Sequence, residues 1–292
     1  MKKRLIIPIF IPFGGCPSIC VFCDQKGITG NTPPPSTIEV RATIESYLAT
    51  WKGGGRKEVA FYGGTFTALP LETQEAYLES VREYLTGGLI DGVRVSTRPD
   101  CVSDDTASFL KESGVETVEL GVQSMNERVL ELSGRGHTRE DSMRAVDILN
   151  KHGMVTGLQI MPGLPGDDYG SIIYTAKEVT GLSPQFVRVY PVLVLKNTPL
   201  EAMYQRGEYR PWALDDMVAV CKDISALFKK AGIRIIRMGL HPGDGLRKSV
   251  VAGPYHPSFR NLVDSAPDQG HRQRQAEHCK ITLEGQSGGS VL

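Results

Sequence analysis

Short apolar segments recur along the chain at intervals of roughly 30 residues and alternate with longer amphipathic segments. The short segments have no helical period and predict buried β-strands, whose interiors we expect to contain Val, Ile, Leu and Phe. They span residues 5–10, 57–62, 92–97, 117–121, 154–161, 186–195 (a sixth strand with an extension) and 232–238. The amphipathic segments predict helices over residues 37–50, 70–85, 103–113, 126–132, 139–152, 168–180 and 212–231.

This alternation of strands and helices predicts repeated β-α-β units and therefore a parallel sheet with right-handed crossovers. Six units followed by a tail are too few for a complete eight-fold barrel. An open six-stranded barrel and a doubly wound sheet both fit the spacing. In either architecture, ligands bind where the strands end at the carboxyl edge of the sheet.

Polar and glycine residues follow the predicted strands at this edge. Because the ends of parallel strands meet at one edge, we expect these residues to converge on one site. They are the cysteine loop after the first strand, Gly63, Gly64 and Thr65 after the second, Arg98 after the third, Gln123 after the fourth, Gln159 to Gly166 at the fifth and Tyr190 at the sixth.

Three cysteines, Cys16, Cys20 and Cys23, lie in the loop after the first strand with the spacing C-x3-C-x2-C. Thiolates this close together can hold one compact inorganic centre. A four-iron, four-sulfur cluster normally takes four cysteines, and the next cysteine in the chain is the distant Cys101. If no distant residue supplies the fourth ligand, one iron stays open to bind another molecule.

Zinc and unligated thiols are the alternatives to a cluster at this spacing. Zinc also binds thiolates, in tetrahedral sites of four ligands, but this stretch has three sulfurs and no histidine. A disulfide framework is typical of short secreted chains, and six cysteines in 292 residues are too sparse for one.

Composition and net charge limit the possible classes of protein only slightly. Hydrophobic residues make up 40% of the chain, which is enough for a sizeable core. Lys plus Arg and Asp plus Glu both total 33, so net charge gives no argument for a polyanionic partner. Clustered cysteines are typical of a reducing compartment, and no apolar run is long enough for a membrane span, so we expect a cytoplasmic protein without a membrane partner.

The last part of the chain differs in character from the rest. Residues 264–292 are rich in polar residues and Gly and show no sustained apolar period. We therefore expect one domain over residues 1–263 and a disordered polar tail over residues 264–292.

Several motifs together resemble the radical S-adenosylmethionine (SAM) superfamily. The cysteine loop and the Gly63-Gly64-Thr65 turn are similar to its general pattern. Four further segments resemble the radical-SAM domain of the catalytic subunit of Elongator and its bacterial relatives, and a fifth resembles the end of that domain. They are residues 97–100 (TRPD), 118–124 (VELGVQS), 135–138 (RGHT) and 160–166 (IMPGLPG), with 253–257 (GPYHP) as the last.

The resemblance implies an α/β fold, an open partial TIM-type (β/α)6 barrel of parallel strands with a short C-terminal extension. It also implies that Cys16, Cys20 and Cys23 hold a 4Fe-4S cluster and that SAM chelates the fourth iron. An external low-potential electron donor would reduce the cluster, and SAM cleavage would then yield a 5′-deoxyadenosyl radical that abstracts hydrogen from a substrate.

The family pattern also suggests which residues bind SAM. They are Gly63, Gly64, Thr65, Gln123, Arg135, Gln159 and Gly163. The family usually has Glu at the position of Thr65, so charge pairing with the SAM ammonium is lost there. Without the resemblance, Arg135 would be an ordinary helix-end arginine, and the glycines would be ordinary turn residues.

Four more polar residues lie at or just past strand ends and are expected to face the substrate: Arg98, Tyr190, Lys196 and His241. In the Elongator subunit, an acetyltransferase domain follows and the two domains modify wobble uridine in tRNA. The roughly 50 residues after His241 are too few for such a domain, so we expect it to be absent.

Three hypotheses about function follow. The first is a radical-SAM enzyme of uncertain reaction class with an unidentified substrate, of which tRNA is one example. The second is a non-catalytic RNA- or metal-binding module with structural zinc. The third is a truncated or degraded relative, because Thr65 departs from the family pattern.

Overall fold

The computed structural model describes residues 4–12, 14–24, 33–240 and 243–267. The predicted substrate-facing residue His241 and most of the predicted polar tail lie outside these residues. Among the helices described, none combines the length and apolar character that crossing a membrane requires.

Most of the predicted apolar segments form strands, with small differences at their ends. The strands are β1 (Leu5–Ile11), β2 (Lys57–Gly63), β3 (Gly92–Thr97), β4 (Val115–Gln123), β5 (Val155–Ile160), β6 (Phe186–Val189), β7 (Val194–Leu195), β8 (Arg234–Met238) and β9 (Val250–Ala252).

The helices lie between them, and side-chain caps fix where several begin. They are α1 (Thr37–Thr50), α2 (Leu71–Thr86), α3 (Asp104–Glu112), α4 (Glu127–Leu132), α5 (Arg139–Lys151), α6 (Tyr169–Gly181), α7 (Pro199–Gln205), α8 (Leu214–Lys230), α9 (Asp244–Ser249) and α10 (Phe259–Ser265). Reciprocal capping boxes start α1 at Ser36, α3 at Ser103, α5 at Thr138 and α6 at Asp168.

The main sheet has seven parallel strands in the order β1-β2-β3-β4-β5-β6-β8. Each strand pairs with the preceding strand of the sheet along the chain, so the order never reverses. A doubly wound sheet requires such a reversal. The structure is therefore the open partial barrel that the resemblance implies, and the doubly wound alternative was wrong.

The predicted sixth strand divides in two. β6 ends at Val189, shortly before Pro191, which has no N–H to donate to a sheet. β7 leaves the main sheet and pairs with β9 in a separate antiparallel ribbon. The prediction of one strand over residues 186–195 was therefore wrong, and α7, α9, β9 and α10 were not predicted.

One face of the sheet packs on the helices and carries the expected apolar side chains. Ile7, Ile9 and Ile11 of β1, for example, are buried in the same cluster as Val40 and Ile44 of α1. Alternate residues of each strand point to this face.

The opposite face of the sheet lines the inside of the barrel and carries buried charged residues. The expectation that strand interiors are purely apolar was therefore wrong. Glu58 of β2, Arg94 of β3, Glu119 of β4 and Arg188 of β6 lie there, and we call these four residues the interior charge network. Arg94 is 1% exposed and bonds to Glu58 and, at 2.7 Å, to Glu119 Oε1. Burial of these charges is tolerated because each meets an opposite charge.

Candidate cofactor site

The cysteine loop lies at the carboxyl edge of the sheet, directly after β1. Its backbone is tied to two distant parts of the chain. The Val21 N–H donates to Ser133 O at 3.1 Å, and the Leu200 N–H donates to Val21 O at 2.8 Å. The Cys23 N–H donates to Cys20 O at 3.1 Å, which forms a tight turn between two of the three cysteines. These bonds hold the loop in one position relative to α4 and α7.

The glycines after β2 are required by close packing against this loop. The Thr65 N–H donates to Gly14 O at 2.7 Å. A Cβ on Gly64 would lie 2.0 Å from Gly14 O, and one on Gly15 would lie 2.3 Å from Thr65 O. Gly63 has a φ of +110°, a conformation that side chains other than glycine rarely adopt. The two loops therefore interlock through backbone alone.

Thr65 is completely enclosed and points its hydroxyl at the first cysteine. It is 1% exposed, and its Oγ1 lies 3.4 Å from Cys16 Sγ. A hydroxyl can donate to a thiolate, whereas the glutamate usual in the family would place a second negative charge there. The departure from the family pattern thus creates a polar contact to a predicted cluster ligand.

Arg135 contacts the second cysteine. Its Nη1 donates to Cys20 Sγ at 3.2 Å, and its Nη2 donates to Gly121 O at 2.5 Å. The side chain is 6% exposed, and its Nε has no hydrogen-bond partner among the described residues. A buried guanidinium with unused donors is suited to binding an anion.

Arg98 supports the same loop from β3. Its Nη1 donates to Ser18 Oγ at 2.6 Å, while Nε and Nη2 donate to the two oxygens of Asp100 at 2.9 and 2.8 Å. Burial opposes the charged form, but the Asp100 carboxylate outweighs it and raises the pKa of Arg98. These contacts favour a role in holding the loop, and contact of Arg98 with substrate stays a prediction.

Gln123 and Gln159, both predicted to bind SAM, meet at the ends of β4 and β5. The Gln159 Nε2 donates to Gln123 Oε1 at 3.1 Å. Gln123 has a φ of 67°, which is uncommon for a residue with a side chain. This conformation turns the chain beyond β4, and the Gln123 carbonyl accepts from the Met161 N–H at 2.8 Å.

The turn after β5 is held by Asp167 and Tyr209. The Gly163 N–H donates to Asp167 Oδ2 at 3.0 Å, and the Tyr209 hydroxyl donates to Gly163 O at 2.6 Å. Burial raises the pKa of Asp167 to about 7, although bonds from Ser171 and Gly163 oppose the rise. Both backbone groups of Gly163 are thus fixed by side chains.

Two titratable groups near the loop are held neutral. His137 is 3% exposed, and burial followed by the charge of Arg135 lowers its pKa to about 3. Its Nε2 lies 3.1 Å from Val122 O and therefore carries the proton. Burial and then the neighbouring Asp100 raise the pKa of Cys101 to about 11. Neither group adds charge to the site at neutral pH.

The sequence reasoning missed Arg188 and Tyr62, which lie inside the barrel beside Glu119. Arg188 donates through Nε to Glu119 Oε2 at 2.5 Å and through Nη2 to the Tyr62 hydroxyl at 2.9 Å. The Tyr62 hydroxyl donates to Glu119 Oε1 at 3.0 Å, and burial with this carboxylate raises the pKa of Tyr62. The sequence signal for Arg188 was a single charged residue between apolar neighbours in a predicted strand.

The predicted substrate-facing residues occupy different places. Tyr190 lies inside the barrel, where its hydroxyl accepts from Arg188 Nη1 at 3.1 Å. Lys196 is exposed at the end of the ribbon formed by β7 and β9, where its N–H donates to Ser249 O at 2.8 Å. The break in the sixth strand thus separates Lys196 from the edge of the main sheet.

Comparison with known proteins gives two family matches. The profile of the Radical SAM superfamily matches residues 10–179. The profile of the Radical SAM C-terminal domain matches residues 184–267. Together they cover the cysteine loop, the ribbon and the main sheet from the end of β1 onward.

Two of the similar proteins come from one archaeon. The chain is 32% identical over 220 residues to an uncharacterized protein of Methanocaldococcus jannaschii, covering 71% of this chain and 67% of that protein. It is 27% identical over 226 residues to the tRNA uridine(34) acetyltransferase of the same organism, covering 70% of this chain and 41% of that protein. The chain thus spans less than half of the acetyltransferase.

The solved structure of Methanocaldococcus infernus Elp3 with an N-terminal deletion shares the fold. The two superimpose with a TM-score of 0.73 at 22% identity, covering 94% of this chain and 64% of that one.

Proposed function

Since the chain belongs to the radical SAM superfamily, we propose that Cys16, Cys20 and Cys23 hold a 4Fe-4S cluster at which SAM is reductively cleaved. The family implies both cofactors. When bound, the cluster supplies one electron to SAM, whose carbon–sulfur bond breaks to give methionine and a 5′-deoxyadenosyl radical that abstracts hydrogen from the substrate.

The contact between Arg135 and Cys20 carries the proposal. A buried guanidinium costs free energy unless an anion compensates for it, and a neutral thiol is a poor partner. Cys20, at 7% exposure, is a suitable partner only as a thiolate, the form that binds iron. The unused Nε of Arg135 leaves a donor for a second anion, such as the SAM carboxylate.

The other predicted residues would bind the remaining parts of SAM. The carbonyls of Gly63 and Gly64 and the oxygen of Thr65 would accept from the SAM ammonium. Gln123 and Gln159 would bind the ribose hydroxyls, and the Gly163 turn would support the adenine. These residues orient SAM and exclude water, since their side chains and backbone are already positioned by the contacts described above.

A structural zinc site is the second candidate for the cysteines. Thiolates around one zinc ion, at about 2.3 Å from the metal, must lie within about 4 Å of one another. Within the described residues, no three His, Cys, Asp or Glu side chains are gathered in a way that could hold a single metal ion. The zinc and sulfide content of the reconstituted protein distinguishes the two kinds of site.

The decisive experiment is reconstitution of the purified protein with iron and sulfide without oxygen. Dithionite and SAM are then added, and 5′-deoxyadenosine is measured. We expect about four irons per chain and product formation that is lost in Cys20→Ala. Cys221→Ala is the matched control, because Cys221 is a buried cysteine of α8 whose thiol contacts Met217 of the same helix.

Zinc without labile sulfide would contradict the proposal. A complete cluster without 5′-deoxyadenosine would support the hypothesis of a degraded relative. In that case Thr65→Glu, which restores the family residue, is the comparison to make.

The substrate is unidentified, and tRNA is the first class to test because a relative is a tRNA uridine(34) acetyltransferase. Unfractionated tRNA is added to the reconstituted enzyme, with an external low-potential donor such as a reduced flavodoxin in place of dithionite. A tRNA substrate increases the rate of 5′-deoxyadenosine formation over that without RNA. An unchanged rate would direct the search to proteins and small molecules.

A further inference from the structure

We infer that Arg135 and Thr65 raise the reduction potential of the cluster by donating hydrogen bonds to the sulfurs of Cys20 and Cys16. The inference rests on the proposed function, because it requires the cluster. Arg135 and Thr65, both predicted to bind SAM, thus have a second role that does not require bound SAM.

The geometry places one donor on each of two ligand sulfurs. Arg135 Nη1 lies 3.2 Å from Cys20 Sγ, and Thr65 Oγ1 lies 3.4 Å from Cys16 Sγ. Both distances are within the range of hydrogen bonds to sulfur. A ligating thiolate has no proton, so the Thr65 hydroxyl must be the donor once Cys16 binds iron.

The direction of the effect follows from charge. Reduction adds one electron to the cluster from the external donor, and no bond forms or breaks in that step. The added negative charge spreads over the iron and sulfur atoms, so donors aimed at sulfur stabilise the reduced form more than the oxidised form. Burial strengthens this effect, since Arg135 is 6% exposed and Thr65 is 1% exposed.

The two donors differ in strength. Arg135 carries a full positive charge, so its loss also removes a favourable Coulomb interaction with the reduced cluster. Thr65 contributes only a hydroxyl dipole. Glutamate in place of Thr65 would act in the opposite direction, because a carboxylate next to Cys16 repels the added electron.

The test is a redox titration of the reconstituted protein without SAM. The electron paramagnetic resonance signal measures the amount of reduced cluster at each potential. The variants are Arg135→Met, Arg135→Lys and Thr65→Val. At a fixed potential near the midpoint, we expect the ratio of reduced to oxidised cluster to fall about tenfold in Arg135→Met, equal to about 59 mV for one electron. Thr65→Val gives a fall of about threefold, and Arg135→Lys lies between wild type and Arg135→Met.

Two controls remove a charge or a hydroxyl elsewhere. Arg144→Met removes an exposed guanidinium from α5. Thr180→Val removes a hydroxyl that bonds to Ala176 O within α6. Both are expected to leave the midpoint potential unchanged.

Iron and sulfide content is measured first in every variant. A wild-type protein without a cluster overturns the proposed function and this inference together. A complete cluster with the same midpoint in wild type, Arg135→Met and Thr65→Val overturns the inference alone. If Arg135→Met fails to hold iron, Arg135→Lys and Thr65→Val decide the question.

Discussion

Arg188 binds both carboxylate oxygens of Glu119, at 2.5 Å through Nε and 3.1 Å through Nη2, although the two residues lie 69 positions apart. The pair connects β6 to β4 across the intervening β5 inside the barrel. Although burial opposes it, Arg188 and then Arg94 hold the pKa of Glu119 below its usual range. The carboxylate is therefore charged at neutral pH and compensates two buried guanidinium groups.

Replacing Glu119 by Gln should strongly destabilise the fold. The variant keeps the shape but leaves Arg94 and Arg188 without their shared counter-charge, a change that typically costs about 3–5 kcal/mol. Urea unfolding of the protein without cofactors measures the loss. Glu140→Gln is the control, because the Glu140 side chain is 66% exposed and solvent screens its pair with Arg139. Equal effects of the two variants would contradict a compensating role for Glu119.

Replacing Gly64 by Ala should prevent cluster binding. The new Cβ would lie 2.0 Å from Gly14 O, so the cysteine loop has to move away from the turn after β2. Iron per chain after reconstitution measures the effect, and we expect less than half of the wild-type content. Gly54→Ala is the control, because a Cβ there meets no atom within 4 Å. Full iron content in Gly64→Ala would show that the interlocked loops are not needed.

Replacing Ser18 by Ala should loosen the cluster without abolishing it. The change removes the acceptor of the Arg98 Nη1 bond at 2.6 Å. A hydrogen bond to a charged group contributes about 1.5–3 kcal/mol, which corresponds to roughly tenfold or more in a rate controlled by loop opening. The rate of iron loss to an excess chelator measures this. Ser108→Ala in α3 removes an exposed hydroxyl and should leave the rate unchanged. A wild-type rate in Ser18→Ala would exclude Arg98 as the support of the loop.

Much of the fold could be predicted because backbone periodicity decides it. The helix over Thr37–Thr50 and the strand over Gly92–Thr97 agree with prediction to the residue. A period shows whether a segment is a helix or a strand, but it does not show which sheet a strand joins. Val194 and Leu195 pair with β9, more than 50 positions later along the chain, and no local pattern indicates that partner.

The same limit applies to the site. The edge of the sheet and its residues were predicted from strand order alone, and Gln123 and Gln159 do meet there. The contacts of Thr65 and Arg98 with the cysteine loop were not predicted, because they depend on the path of the loop between strands. Binding of cluster and SAM by these residues stays a prediction.

His137 should make the fold less stable as the pH falls. Its pKa is lowered to about 3 in the folded chain, compared with about 6.5 in the unfolded chain. Between these values the unfolded chain binds one more proton, so folding stability decreases by up to about 1.4 kcal/mol for each pH unit below 6.5. Urea unfolding of wild type and His137→Gln at pH 7, 6 and 5 measures this.

The comparison isolates His137 because Asp167 is present in both proteins. Its raised pKa, about 7, acts in the opposite direction, since that contribution to stability is lost as the pH rises through 7. As the pH falls from 7 to 5, the free energy of unfolding should therefore decrease more in wild type than in His137→Gln. Parallel pH profiles would show that His137 does not stay neutral in the folded chain.

The backbone bonds of the cysteine loop determine when the site is completed during synthesis. Because each strand of the main sheet pairs with the one made before it, the sheet can grow in step with the ribosome. Val21, however, bonds to Ser133 and to Leu200. The loop precedes both partners in the chain and therefore reaches its final position only after residue 200 has been made. If the three cysteines hold a cluster, as proposed, insertion into the finished site would follow the synthesis of these later segments.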